Sequence, residues 1–145
     1  IKHIPGHGLA NVDSHNFTPV INKTTKYLSE NDFFPFRNKK SFFAMTGHII
    51  YNKIDNVNTV THSKKMIQYI RNKIGFRNIL ISDDLSMKSL KNDIKTNTVK
   101  AFTAGCNIVL HCNGNITEMK IVANNSPLIS SFITKKTSQF YKILS

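Results

Sequence analysis

Acidic residues, arginine and cysteine are the scarce ingredients of this 145-residue chain, and each shortage narrows what it can be. Only eight Asp and Glu stand against 20 Lys and Arg, a formal net charge of +12. A charge of that size suggests nucleic acid or an anionic surface as partner. Arginine, the usual reader of bases and phosphates, is confined to Arg37, Arg71 and Arg77. The lysines are scattered, with Lys39-Lys40, Lys64-Lys65 and Lys135-Lys136 as isolated pairs. Without arginine clusters or aromatic stacking platforms, the composition argues against a nucleic-acid partner and for a solvated basic surface. It accompanies a surplus of Asn, Ile and Lys together, as AT-rich coding would give. Cys106 and Cys112 flank an apolar run expected to be a strand; at about 3.3 Å per residue their Cα atoms lie about 20 Å apart, too far for a disulfide. Two unbridged thiols point to a reducing compartment. No apolar run has the length of a membrane-spanning helix, and no signal peptide is visible, although the sequence opens on Ile1 in mid-motif. Internal repeats and low-complexity blocks are missing too, which leaves one domain.

What is present is a recurring unit. Four apolar runs, Ile1–Ile4, Phe42–Ile50, Ile79–Ser82 and Asn107–Cys112, are each followed by polar or glycine-bearing residues and then by helical spacing. Met66, Ile67, Tyr69, Ile70 and Ile74 recur at steps of three and four, behind a cap at Thr61 or Ser63. Val99, Ala101, Phe102 and Ala104 run up to Gly105, a helix stop. From Pro127 to Leu144 a last helix is expected to turn Leu128, Ile129, Phe132, Phe140 and Ile143 inward. Alternating strands and helices call for an α/β fold with a parallel sheet. Four units are too few for a (β/α)8 barrel, which takes about 250 residues. The chain therefore reads as a partial TIM-type barrel, about its last four β/α units, with a doubly wound four-stranded domain as the alternative.

Two stretches carry chemistry. Ser82-Asp83-Asp84-Leu85-Ser86 ends a buried strand, and in barrels strand ends hold the reacting groups. Alternation puts Asp83 on the face of Ile79 and Ile81 and turns Asp84 away. Capping of a helix starting near Leu85 is an equal contender for the same residues. At the N-terminus, Lys2-His3-Ile4-Pro5-Gly6-His7-Gly8 leads through Leu9–Val12 to Asp13-Ser14-His15. Its glycines and Pro5 mark a rim loop. In an extended segment Asp13 and His15 share a face, so the carboxylate can hold a ring N–H and raise the basicity of the imidazole.

Taken in order, Lys-His-x-Pro-Gly-His-Gly, Asp-Ser-His, Ala44-Met45-Thr46-Gly47-His48 and Ser82-Asp83-Asp84-Leu85-Ser86-Met87 resemble the motifs of bacterial β-N-acetylglucosaminidases (β-hexosaminidases) of glycoside hydrolase family 3. The resemblance runs on through Ala104-Gly105-Cys106 and His111-Cys112-Asn113 and fades only in the last helix. It implies that residues 1–145 are the C-terminal half of the family's catalytic barrel, with the N-terminal half absent. It implies a retaining hydrolase that removes terminal β-linked N-acetylglucosamine from cell-wall (peptidoglycan) fragments, the muropeptides, through a covalent glycosyl-enzyme and without a cofactor. Asp83 matches the nucleophile, His15 the general acid/base and Asp13 its orienting partner, so a histidine dyad stands in for the second carboxylate of most retaining glycosidases. Lys2 and His3 match sugar-binding positions; His7 is carried over only as loop structure.

Ile4 replaces a usual aromatic residue and Gly47 a common alanine. In the family, the first half of the barrel supplies further sugar contacts, among them an acid and an arginine. A separate N-terminal half-barrel, or self-association, is thus expected as partner. The rival readings are a non-catalytic half-barrel or interaction module, a glycoside phosphorylase, in which phosphate replaces water beside a neutral base, and metal-assisted hydrolysis through His3, His7, His15 and Asp13. The last lacks helical ligand spacing, and no metal site is expected.

Overall fold

Each strand is short because the polar or glycine-bearing residues behind it leave the sheet at one rim. In the computed structural model, which describes residues 1–144, the order is β1 (Lys2–Ile4), β2 (Val20–Ile21), α1 (Thr25–Glu30), β3 (Phe43–Thr46), β4 (Ile50–Tyr51), α2 (Lys64–Tyr69), β5 (Ile79–Asp84), α3 (Ile94–Ala104), β6 (Ile108–Leu110), α4 (Ile116–Asn124) and α5 (Ser131–Leu144). A π-helical turn, Ile70–Ile74, prolongs α2 up to Gly75.

β1, β3, β5 and β6 form one parallel sheet in that order. Each strand adds on the far side of its predecessor, without reversal. A doubly wound sheet turns back at a switch point, so the sequential order overturns that alternative and leaves the partial barrel. The two faces differ. Ala44 and Leu80 pair in register and are buried, packing with Met66, Ile67, Ile70, Ala101 and Ala104 of the covering helices. The next row, Lys2, Met45, Ile81 and Ile108, is also in register, and none of the four is buried. That open face carries a shallow cavity of about 170 Å³ lined by Ile1, Lys2, Phe43, Ala44, Met45 and Ile81.

The helices begin and end where side chains satisfy free backbone groups. Ser63, not Thr61, caps α2 by accepting from the Met66 N–H, and its hydroxyl donates to Asp55 at 2.6 Å. Asp93 caps α3 and Asn115 caps α4. α3 stops at Gly105, where φ is +117° and an added Cβ would lie 2.9 Å from Ile67 Cγ2.

Three expectations need correction. The run Phe42–Ile50 is not one strand: it breaks at Gly47-His48, and β4 resumes as partner of β2 in a two-stranded parallel pair that joins two rim loops. No helix starts near Leu85; the chain turns there, and the helix waits for Asp93. In the tail, Leu128 and Ile129 precede α5 and are 96% and 70% exposed, Phe132 and Ile143 are exposed, and only Phe140 packs as expected, edge-on to Phe43 at 5.1 Å. Leu128 and Ile129 instead line an open groove with Phe102, Ile108, Val109 and Val122. Among the described residues, no helix is long and apolar enough to cross a membrane.

Candidate active site

The rim is assembled from three loops and one strand end. The peptides Lys2–His3, within β1, and Ile4–Pro5, at its end, are cis, and the chain then enters its glycine-bearing loop. Asp32 holds that loop: its Oδ1 accepts the Gly8 N–H at 3.1 Å, and its Oδ2 lies 2.8 Å from the Tyr51 hydroxyl, which is 2.8 Å from the Gly6 carbonyl as well. Burial first, and the Asp32 charge second, push the Tyr51 phenol well above its usual range, so it stays a proton donor. A Cβ on Gly6 would fall 2.5 Å from the Asp32 carboxyl, which is why the backbone can come so close only as glycine. Neither Asp32 nor Tyr51 stood out in the sequence, since nothing in their spacing marks a clamp.

His3 is carried on β1 and packs against His7 with ring centroids 5.3 Å apart. Gly47 makes room for the pair: a Cβ there would approach His7 Cδ2 to 3.1 Å. Partial burial lowers the His3 pKa; Asp83 opposes the shift, while His7, Lys2 and His48 add to it. Near neutral pH His3 is therefore a neutral imidazole. Its Nε2 lies 3.4 Å from Asp83 Oδ2, a long contact that brings two of the singled-out residues together. Lys2 is exposed on the open face beside them.

The two neighbouring acids at the end of β5 are in different situations. Asp83 Oδ1 accepts the Asp84 N–H at 2.9 Å, and Oδ2 has only the His3 contact. Asp84 is fully engaged: it accepts from Ser86 N–H at 3.0 Å, Ser86 Oγ–H at 2.6 Å and, across the sheet, Cys112 N–H at 3.1 Å. Burial works against its charge, but those bonds, with His111 nearby, outweigh it and hold the carboxyl below the usual range. Asp83 keeps a free carboxylate oxygen at the rim; Asp84 ties β5 to the segment after β6.

Asp13 and His15 meet as expected, though not through an extended segment. Asp13 opens a turn in which its Oδ1 accepts both the His15 backbone N–H at 2.9 Å and the His15 Nδ1–H at 2.8 Å, while its carbonyl accepts from Asn16 and Phe17. An Asp side chain closes such turns readily. These bonds, the backbone one foremost, hold the Asp13 carboxyl below its ordinary pKa. The dyad is solvent-facing, and the Lys88 N–H, donating to the His15 carbonyl at 3.1 Å, ties its loop to the segment leaving Asp83.

Beneath the rim, His48 is fully buried between Thr61 and the Asp84 carbonyl. The sequence showed it as part of a motif without a task. Among the described residues, no three His, Cys, Asp or Glu side chains converge as metal ligands, and His3, His7, His15 and Asp13 do not form such a group.

The chain has relatives. The model of the glycosyl hydrolase family 3 N terminal domain matches residues 1–138. A β-hexosaminidase of Actinobacillus succinogenes is 39% identical over 119 residues, covering 77% of this chain and 34% of that protein. Another, from Psychromonas ingrahamii, is 30% identical and covers 98% of this chain and 42% of its own length. Among solved structures, native NagZ from Neisseria gonorrhoeae superposes with a TM-score of 0.79 at 29% identity, over 93% of this chain and 40% of that one. CbsA from Thermotoga neapolitana gives 0.81 at 26% identity, over 100% and 37%. The chain thus spans well under half the length of these relatives, and within that span it belongs to glycosyl hydrolase family 3, in the N-terminal domain that carries the family's name.

Proposed function

We propose that this chain carries the catalytic side of a β-N-acetylhexosaminidase that releases terminal β-linked N-acetylglucosamine from peptidoglycan fragments with retention of configuration. The observation that carries the reading is the Asp83 carboxylate at the C-terminal end of β5, with Oδ2 uncommitted except for His3 and with the Asp13–His15 dyad on a loop tied to the same rim. Asp83 attacks the anomeric carbon while His15, protonated and oriented by Asp13, gives its proton to the leaving oxygen. Neutral His15 then takes a proton from water, which opens the glycosyl ester and restores Asp83. Lys2 and His3 bind sugar hydroxyls. The names of the relatives support the substrate class.

Residues 1–145 are, in this reading, the second half of the barrel domain. The sheet's outer strands β1 and β6 and the uncovered row Lys2, Met45, Ile81 and Ile108 are where the remaining barrel units would join, whether they come from the same polypeptide, a separate half-barrel or self-association. A cytoplasmic setting suits free Cys106 and Cys112. The same uncovered row favours, as second reading, a half-barrel that folds without turning over. Hydrolysis of a chromogenic β-N-acetylglucosaminide, by the chain alone and with the remaining units added, separates the two. Activity on completion, abolished by Asp83→Ala, is the expected outcome. Full activity of Asp83→Ala would remove the nucleophile assignment, and a folded, completed barrel without turnover would leave the non-catalytic reading.

A further inference from the structure

The buried polar side chains behind Asp83 form a chain of hydrogen bonds whose direction is fixed by its ends. Nε2 of His48 lies 2.9 Å from the Asp84 carbonyl oxygen, which can only accept, so Nε2 carries the proton and donates. Burial favours the neutral ring, so Nδ1 is a lone pair. Thr61 Oγ1, 2.9 Å from Nδ1, must therefore donate to it. With its one proton spent, Thr61 accepts from Thr46 Oγ1–H at 2.9 Å. Thr46, Thr61 and His48 are all fully buried. The chain thus runs one way, from the end of β3 through the turn Val60–His62 to the Asp84–Leu85 peptide.

That peptide is held from three sides: its carbonyl accepts from His48 at 2.9 Å and from the Met87 N–H at 3.2 Å, and its Leu85 N–H donates to the Leu110 carbonyl at 2.9 Å. The Asp84 carboxylate is fixed by Ser86 and Cys112, and the Asp84 N–H grips Asp83 Oδ1. Without the His48 bond the carbonyl keeps only the longer one to Met87, so the peptide tilts about the Leu85–Leu110 bond and shifts the neighbouring Asp84 N–H that holds Asp83 Oδ1. We infer that His48 is a positioning residue for the Asp83 carboxylate, acting through the Asp84–Leu85 peptide, with its Nε2–H tautomer fixed by the Asp84 carbonyl and matched by the hydroxyls of Thr61 and Thr46. The inference rests on Asp83 being the nucleophile.

Its test compares His48→Ala, His48→Asn and His48→Gln in the completed barrel. Gln can carry an amide N–H to the place of Nε2; Asn and Ala cannot. Misplacement of a reacting group by about 1 Å costs about 10²-fold, so kcat is expected to fall about that much in the Ala and Asn variants, with KM little changed, and to recover in Gln. Equal kcat losses in all three variants, or loss of thermal stability alone with kcat intact, would overturn the inference while Asp83→Ala still reports on the nucleophile. In the chain by itself, without turnover, the imidazole nitrogen NMR spectrum at neutral pH should show the His48 proton on Nε2. The Asp84 amide resonance should move in His48→Ala and hold in His48→Gln. A proton on Nδ1, or an Asp84 amide indifferent to both substitutions, overturns it independently of activity.

Discussion

At the scale of single residues, what separates Asp83 from Asp84 is the number of donors each carboxylate has already met. Asp84 accepts three hydrogen bonds and stitches two strand ends together; Asp83 accepts one at Oδ1, and its Oδ2 keeps its lone pairs beside a neutral His3. Of the two, Asp83 is the one held without being consumed, which is what the proposed nucleophile requires. The dyad poses the opposite case. The His15 side chain is 77% exposed and Asp13 59%, so their 2.8 Å bond contributes little to folding. Its value lies in fixing which ring nitrogen faces outward. His15→Ala is accordingly expected to leave the urea midpoint in place while lowering kcat of the completed barrel about 10²–10⁴-fold, the usual worth of a positioned acid/base. A stability loss without a rate effect would make the dyad a mere turn-closing device.

At the scale of elements, glycines show where packing and backbone conformation make separate demands. Gly114 has φ +73° with open space around it, whereas Gly105 has φ +117° and Ile67 against its missing side chain. Gly114→Ala should cost about 1 kcal/mol from the backbone alone. Gly105→Ala should cost clearly more, since Ile67 must shift as well, and urea unfolding of the two variants measures the difference. Equal costs would mean that α2 yields freely at this contact. Gly105 was legible in the sequence as a helix stop, and so were the apolar strand runs, because a run of aliphatic residues ending in polar ones has few other readings in a chain of this period. What was not legible lacks a period. β2 and β4 are two residues each and pair only because their loops are brought together. α4 starts at Asn115, one Asn among many, and so offers no distinctive signal. The inner face assigned to α5 presupposed a surface to cover, and helical spacing cannot say whether one exists. At the site, motifs pointed to Asp83, Asp13 and His15, but the clamp of Asp32 and Tyr51 and the task of His48 depend on contacts 19 to 45 residues apart in sequence.

For the whole molecule, three histidines, His48 buried and His3 and His62 partly so, tie stability to pH. His62 donates from Nε2 to the Asn97 carbonyl at 3.1 Å and is pushed down to about 4, mainly by burial and secondarily by His48. His48 and His3 are lowered by the same cause. An unfolded histidine titrates near 6.5, so between that pH and about 4 the unfolded chain binds protons that the folded one refuses. Stability from these groups is complete above about 6.5, falls as pH drops through the window, and bottoms out once the folded state protonates too. For His62 alone the fall is worth up to about 3 kcal/mol. The acids point the same way at lower pH: Asp13, Asp55, Asp84, Asp93 and Glu118 are all held below their ordinary values, so their contribution is present at neutral pH and is lost only in the carboxylate range. Urea midpoints measured from pH 7 downward should therefore decline in two stages, the first owed to histidine. His62→Gln, which keeps a donor for Asn97 without a titrating ring, should flatten that first stage and leave the second. An unchanged slope between about 6.5 and 4 in the variant would show that His62 does not remain neutral in the folded chain.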